Sequence, residues 1–340
     1  MLWLRRSRAL LVVAAVILLA EVGARALSPR LPDPVTWDNP FTQAKVGQME
    51  EEGSADVVFL GSSVVNVGID PARATAGTGR SGYNAALPGS TPILWRAWAA
   101  DAVIPLLCPA VVVIGVTPRD YNDHDTGNRG ALDQYLSSPG RLLHLGEAGF
   151  GDRAESAVSS RFTLAADRSL LRQPANVVRW LLDLPVDDRR DSELTGDGRF
   201  FGFDDHNFER KPDRRRRLRS GAFRDFAVGG LEEGALRGLI GDVLATGAVP
   251  VIVEMPVLEA ELVSLLPGGE ADMAAFRAGL DRVATLTGHP VLRFPDLHDR
   301  KRLFADEYHL NGAGVTRVSD RLAEELRSLL GDTEMQMGCG

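Results

Sequence analysis

Val57-Val58-Phe59-Leu60-Gly61-Ser62-Ser63 is an apolar run that stops on a glycine and two serines. Four apolar residues bounded by a turn signal read as a buried strand. A serine on a sharp turn after such a strand points its hydroxyl at solvent over the sheet edge. Four more stretches of this kind follow: 83–86, Val111–Val116, Val249–Glu254 (closed by Pro256) and 291–294. Segments with helical spacing lie between them. In 91–107, Trp95, Trp98, Ala102 and Leu106 recur on one face; 231–246 and 271–286 follow. The last is Gly312–Leu330, with Val315, Val318, Leu322, Leu326 and Leu329 on one face. Strands without polar relief, alternating with helices, predict an α/β domain whose parallel sheet is covered on both faces.

Residues 121–230 break the alternation, with short apolar pieces at 142–145 and 177–184 among Asp, Arg and Gly. A structureless loop of that length inside a compact domain is unusual. The segment therefore reads as a partly helical insertion over one end of the sheet. Its basic run, Arg214 to Arg217 with Lys211 and Arg219, reads first as a solvated loop. The second reading is a contact for an anionic polymer or lipid headgroup.

At the N-terminus, Arg5, Arg6 and Arg8 precede an uninterrupted apolar run at 9–20, which Glu21 and Arg25 interrupt. The run has no polar face, which argues against a buried helix. It is a cleaved signal peptide or a signal anchor. Ala24-Arg25-Ala26 is an A-x-A-like cleavage site, whereas the weak continuation through Val22, Gly23 and Leu27 suits an anchor with its basic flank in the cytoplasm. The run is short of the ~20 residues of a full span. The anchor over 1–27 is favoured, and either reading puts the rest of the chain outside the cytoplasm. The proline-rich stretch 28–55 reads as a linker, and 56–335 as the folded domain with its insertion.

A chain of 340 residues can bury one large core plus an insertion. Apolar content of 44% with 25% charged residues is that of a globular protein. The net charge of −8 argues against nucleic acid as the main partner, because a phosphate-binding surface needs a basic excess. Cys108 and Cys339 are far apart and form neither a metal-like cluster nor a disulfide framework. A single disulfide between them is disfavoured, since Cys108 lies in a stretch that reads as buried. Asp123, His124 and Asp125 read as solvated surface groups. No metal and no organic cofactor is called for.

Near the other end stands Asp306-Glu307-Tyr308-His309. With Asp306 accepting from the imidazole Nδ1–H, Nε2 of His309 is left to take the proton of Ser63. Ser63, His309 and Asp306 together spell a nucleophile, its base and the group that orients the base. Plainer readings compete: the serine as helix N-cap or turn former, and Asp306 or Asn311 satisfying backbone donors in a capping loop. The other five histidines have no such partner in the sequence. After the second strand, Gly89 lets the backbone come close to a substrate. Its N–H and that of Ser63 would form an oxyanion hole; the alternative is a strand-to-helix turn capped by Ser90 or Thr91. The third strand runs into Gly115-Val116-Thr117-Pro118-Arg119-Asp120. Ligands of parallel sheets bind beyond the carboxyl ends of strands, which makes Asn84, Thr117, Arg119 and Asp120 candidates for substrate contact. Arg119 and Asp120 read equally as an ion pair that fixes the turn.

In this order the blocks resemble the SGNH (GDSL-type) hydrolase superfamily, over roughly residues 56–120 and 248–330. In that family the first block carries the nucleophile, matched here by Ser63. Ser62 stands where the family has an aspartate outside the triad. The glycine of the second block is matched by Gly89, and the closing Asp-x-x-His by Asp306 and His309. The third block departs from the pattern: the family's Gly-x-Asn-Asp is replaced, and no asparagine stands at its side-chain oxyanion donor. The resemblance implies a three-layer α/β/α sandwich of flavodoxin-like type, with a five-stranded, mainly parallel sheet and acyl chemistry at a serine. The Gly-Ser-Ser block, the proline in the third block and the His-Leu-Asn ending, on an anchored exported chain, are similar to the DltD-like and alginate-acetylation-type branch. Members of that branch work beside membrane-bound O-acyltransferases. The resemblance thus implies acyl transfer or ester hydrolysis on an envelope glycan or glycolipid by a single-pass membrane protein, or by a secreted one if the signal is cleaved. The competing expectation is a catalytically weak scaffold or carbohydrate-binding partner of such an acyltransferase.

Overall fold

A computed structural model describes residues 2–31, 40–124, 158, 161–167, 170, 174–182, 184, 195–199 and 212–330. The chain divides into two compact units, Met1–Gln43 with Ala148–Ser192, and Ala44–Glu147 with Glu193–Gly340.

The second unit holds an all-parallel sheet of four strands, the strands found among the described residues: β1 (Val57–Leu60), β2 (Gly82–Asn84), β3 (Val111–Val116) and β4 (Val249–Glu254), in the order β2-β1-β3-β4. Val57 pairs with Gly82 on one side and Val111 on the other, and Val116 pairs with Glu254. Every residue of β1 and β3 is buried, which explains why both read as unbroken apolar runs. The chain leaves β1 for β2 and then crosses back to β3. The direction of winding therefore reverses beside β1, and the carboxyl ends of β1 and β3 form the switch point at which open α/β sheets place their ligands. Ser63 and Thr117 follow those two ends.

The sheet has four strands, not five. Residues 291–294 contribute one bridge, Val253 to Leu292. Leu292 donates to Ile252 O at 2.9 Å and accepts from Glu254 N at 3.0 Å. Pro290 has no N–H to extend this ladder backwards. Forwards, the chain turns at once, with Leu297 N donating to Phe294 O. The second strand ends at Asn84, earlier than the apolar pattern suggests.

The stretch expected as a linker contains a helix, Pro40–Glu52, whose Lys45 and Met49 are fully buried. Pro40 opens this helix rather than breaking it, as proline does in a first turn. The run after β2 is helical from Pro92 to Leu107, with a π turn at Ala99–Val103. It ends on Cys108 in the left-handed region, φ 47°. Cys108 is disulfide-bonded, against the expectation; the residue is half-buried rather than inside the core.

The insertion is partly helical where it is described: Thr163–Ala166, Pro174–Leu181 and Pro212–Ser220. Its apolar piece 142–145, His144, His206 and Lys211 lie outside the described residues. Tyr121 is fully buried, so the core runs past the end of the third block. In the first unit, one helix among the described residues is long and apolar enough to cross a membrane or act as a signal peptide, over Leu10–Arg30.

Candidate active site

The turn after β1 requires glycine. Gly61 has φ +155°, and a Cβ there would run into the Val65 side chain and stand 2.8 Å from Gly115 O. Ser62 then caps the helix Ser63–Gly68, its Oγ accepting from Val64 N at 3.4 Å. With Ser62 in the capping role, Ser63 becomes the first helical residue. Its N–H belongs to the unpaired donors of a first turn, and its half-buried side chain is available for other work.

His309 comes from a tight loop before the helix Gly312–Leu330. Phe304 and Leu310 form an antiparallel bridge, and Ala305 N donates to His309 O at 2.8 Å. Asn311 Oδ1 accepts from Gly314 N, capping the last helix. Gly314 packs so closely that a Cβ would collide with Leu303 O.

The structure brings together the three residues that the sequence singled out. Ser63 Oγ lies 2.9 Å from His309 Nε2, and His309 Nδ1 lies 2.8 Å from Asp306 Oδ2. A carboxylate only accepts, so Nδ1 carries the proton and Nε2 faces the serine as an acceptor. Asp306 Oδ1 accepts from the backbone N–H groups of Tyr308 (3.1 Å) and His309 (2.9 Å). The capping role and the orienting role thus fall to different oxygens of one side chain. Burial works to raise the Asp306 pKa, but the hydrogen bond from His309 and the charges of His309 and Arg214 hold it below the usual carboxylate value.

Arg214 is a site residue that sequence reasoning missed. Its Nη2 lies 2.7 Å from Asp306 Oδ2, the oxygen that also accepts from His309. Its Nε donates to Glu307 Oε2 at 3.0 Å. Glu307 is fully buried, and its Oε1 has no hydrogen-bond partner. The Arg214 guanidinium also lies over the Tyr308 ring, 5.2 Å from its centroid, and that ring packs 4.6 Å from the imidazole of His309. Arg215 is anchored to Glu261 at 2.6 Å, whereas Arg216 is largely exposed. The basic run is thus a helix whose first two arginines dock on the domain, in place of a solvated loop.

The remaining candidates fall into two groups. Gly89, in the left-handed region at φ +74°, is half-buried. Among the described residues, neither its N–H nor that of Ser63 donates to a protein acceptor. Arg119 is half-buried beside the site, donating to Tyr308 Oη at 3.4 Å. Asn84, Thr117 and Asp120 are buried and turned inward. The Asn84 amide donates to Val65 O, Asn66 O and Ile69 O and accepts from Ala86 N. Thr117 donates to Asp120 Oδ2 through both N–H and hydroxyl. Asp120 therefore fixes the turn through Thr117. Burial pushes its pKa up, against the hydrogen bonds from Thr117 and Ser62. Beneath the second block, Lys45 Nζ donates to Asn84 O and Ala86 O, both at 2.6 Å. Thr91 caps the following helix without a side-chain bond. His298 is a structural group, its Nδ1 3.2 Å from Val257 O. Among the described residues, no group of three or more His, Cys, Asp or Glu is arranged to hold a metal ion.

No family model matches this chain, and neither does any curated protein.

Proposed function

We propose that the chain is an extracytoplasmic serine-dependent acyl-transfer or ester-cleaving enzyme acting on an envelope glycan or glycolipid. The observation that carries this reading is the unbroken line Ser63 Oγ, His309 Nε2, His309 Nδ1, Asp306 Oδ2, with steps of 2.9 and 2.8 Å. His309 takes the Ser63 proton as Oγ attacks an acyl carbonyl, and returns it to the leaving oxygen as the carbonyl reforms. Asp306 holds the imidazole tautomer and balances the imidazolium. The unpaired N–H groups of Ser63 and Gly89 are the donors for the oxyanion. The acyl-serine then passes to a sugar hydroxyl or to water, with His309 accepting the proton of the incoming group.

On this reading the domain is a three-layer sandwich of SGNH type, and Ser63 follows the strand that carries the nucleophile there. The disulfide at Cys108 supports export, because such bonds persist in oxidising compartments. The N-terminal helix supports a single-pass anchor. A membrane-bound O-acyltransferase is the partner that fits. One observation favours the scaffold reading instead: Thr117 directs its hydroxyl to Asp120, so Thr117 contributes no side-chain oxyanion donor. Turnover of p-nitrophenyl acetate by the full-length protein, Ser63→Ala and His309→Ala separates the two. Enzyme predicts that both variants lose turnover, and added acetylatable glycan diverts acyl groups from water. Equal, background turnover by all three supports the scaffold.

A further inference from the structure

The first unit joins the N-terminal helix to part of the insertion through charged groups that an apolar span would otherwise leave exposed to lipid. Glu21 Oε1 accepts from Thr163 N at 2.9 Å and from Arg25 Nε at 2.8 Å, and Oε2 accepts from Leu164 N at 3.0 Å. Arg25 Nη2 donates to Arg161 O at 2.9 Å. Glu21 is buried by these partners, while the helix around it is bare: Leu18, Leu19 and Val22 are more than half exposed. At about 1.5 Å per residue, the apolar run 9–20 spans only ~18 Å, against ~30 Å of hydrocarbon. Extended through Leu27 it spans ~28 Å, provided that Glu21 and Arg25 are neutralised. The Glu21–Arg25 ion pair does that, and the backbone of residues 161–164 satisfies the hydrogen-bonding groups left over. Cleavage after Ala26 would remove both side chains and leave the Thr163 and Leu164 N–H groups uncapped.

The helix Pro174–Leu181 starts eight residues after Ala166, in the same unit. Trp180, Leu181, Leu182 and Leu184 on and just after it are each about half exposed or more, with Arg179 exposed among them. Exposed Trp and Leu with Arg is the composition of a helix lying in the membrane interface. The short connection back to the span places this strip within reach of the same bilayer surface.

We propose that the described segments 161–167 and 174–182 form a second membrane contact, lying on the outer leaflet beside a retained N-terminal anchor. This rests on the anchored reading above and not on the chemistry of Ser63. The test uses full-length protein, purified alone, in phosphatidylethanolamine/phosphatidylglycerol vesicles containing a photoactivatable phospholipid. Cross-links are mapped by mass spectrometry, and the intact mass is recorded. The proposal expects a chain that retains residues 1–27, with lipid adducts both in 10–27 and in 174–184. Trp180→Glu with Leu182→Glu should reduce the second set several-fold and leave the first unchanged. Adducts confined to 10–27 overturn the second contact and point to a protein partner for this strip. A purified chain that begins after Ala26 overturns the retained anchor. Labelling of Ser63 by a fluorophosphonate in the same samples reports the acyl chemistry separately.

Discussion

Arg214 serves two carboxylates at once, and replacing it tests how the insertion supports the site. Arg214→Met removes the cation 2.7 Å from Asp306 Oδ2 and 3.0 Å from Glu307 Oε2. Glu307 is fully buried and, among the described residues, is left with no cation in contact, whereas Asp306 keeps His309 and two backbone N–H groups. Breaking a buried pair from one side costs ~3–5 kcal/mol. Arg214 is a quarter exposed, which places the loss near the lower end, about 3 kcal/mol. For a domain of this size that lowers Tm by roughly 6–12 °C. The Asp306 carboxylate also loses one of its restraints, and misplacing an orienting group costs about 10- to 100-fold in rate. Arg214→Met/Glu307→Gln separates the two effects, because it removes the stranded buried charge without restoring the restraint on Asp306. Thermal unfolding in detergent and the rate of Ser63 acylation are read on each protein. The double variant should regain most of the Tm and little of the rate, and Arg214→Lys should retain part of both. An Arg214→Met protein that melts and acylates like the parent would refute the reasoning. A double variant that regains the rate with the Tm would show that Arg214 acts only through the fold.

The folded-state pKa of Asp306 is held below its ordinary value, so its contribution to stability is complete above about pH 4 and is lost as pH falls through the lower folded value. Denaturant titrations at pH 2–6 should show that acid slope, flattened in Asp306→Asn. Lys45 is the reverse case: burial pushes its pKa well below the usual lysine value, so the unfolded chain binds the extra proton. Stability should rise with pH between the lowered folded value and about 10.4, and Lys45→Met should remove that rise in the same titrations. Gly61→Ala combines a backbone conformation costly for alanine with a collision against Val65 and Gly115. It should lose about 2–4 kcal/mol and slow acylation by displacing Ser63, read by thermal unfolding and by adduct formation.

How far each feature was legible in the sequence follows from what surrounds it. β1, β3 and β4 could be read because they lie in the buried sheet, so their positions hold Val, Ile, Leu or Phe, apart from Gly115, Pro250 and Glu254. The last helix could be read because one apolar face meets the core. Residues 291–294 carry the same apolar signal but form only one bridge, since burial and ladder pairing are separate properties and Pro290 limits the second. The helix Pro40–Glu52 hid behind prolines that seemed to mark a linker, and a buried Lys45 contradicts the ordinary placing of lysine. The spacing of Asp306 and His309 was visible because both groups share one short loop. Arg214 was not, being 92 residues from Asp306 in a run of four arginines whose inward and outward members look alike until Asp306, Glu307 and Glu261 are placed beside them. Asn84 and Thr117 stood where substrate contacts occur, but their polar atoms bind the backbone and Asp120.

The most direct test of the central claim is the intact mass of the full-length protein after brief exposure to p-nitrophenyl acetate. The account predicts one acetyl group, mapped to Ser63, absent in Ser63→Ala and formed much more slowly in His309→Ala. No adduct on the parent protein, or an adduct that persists in Ser63→Ala, would contradict it.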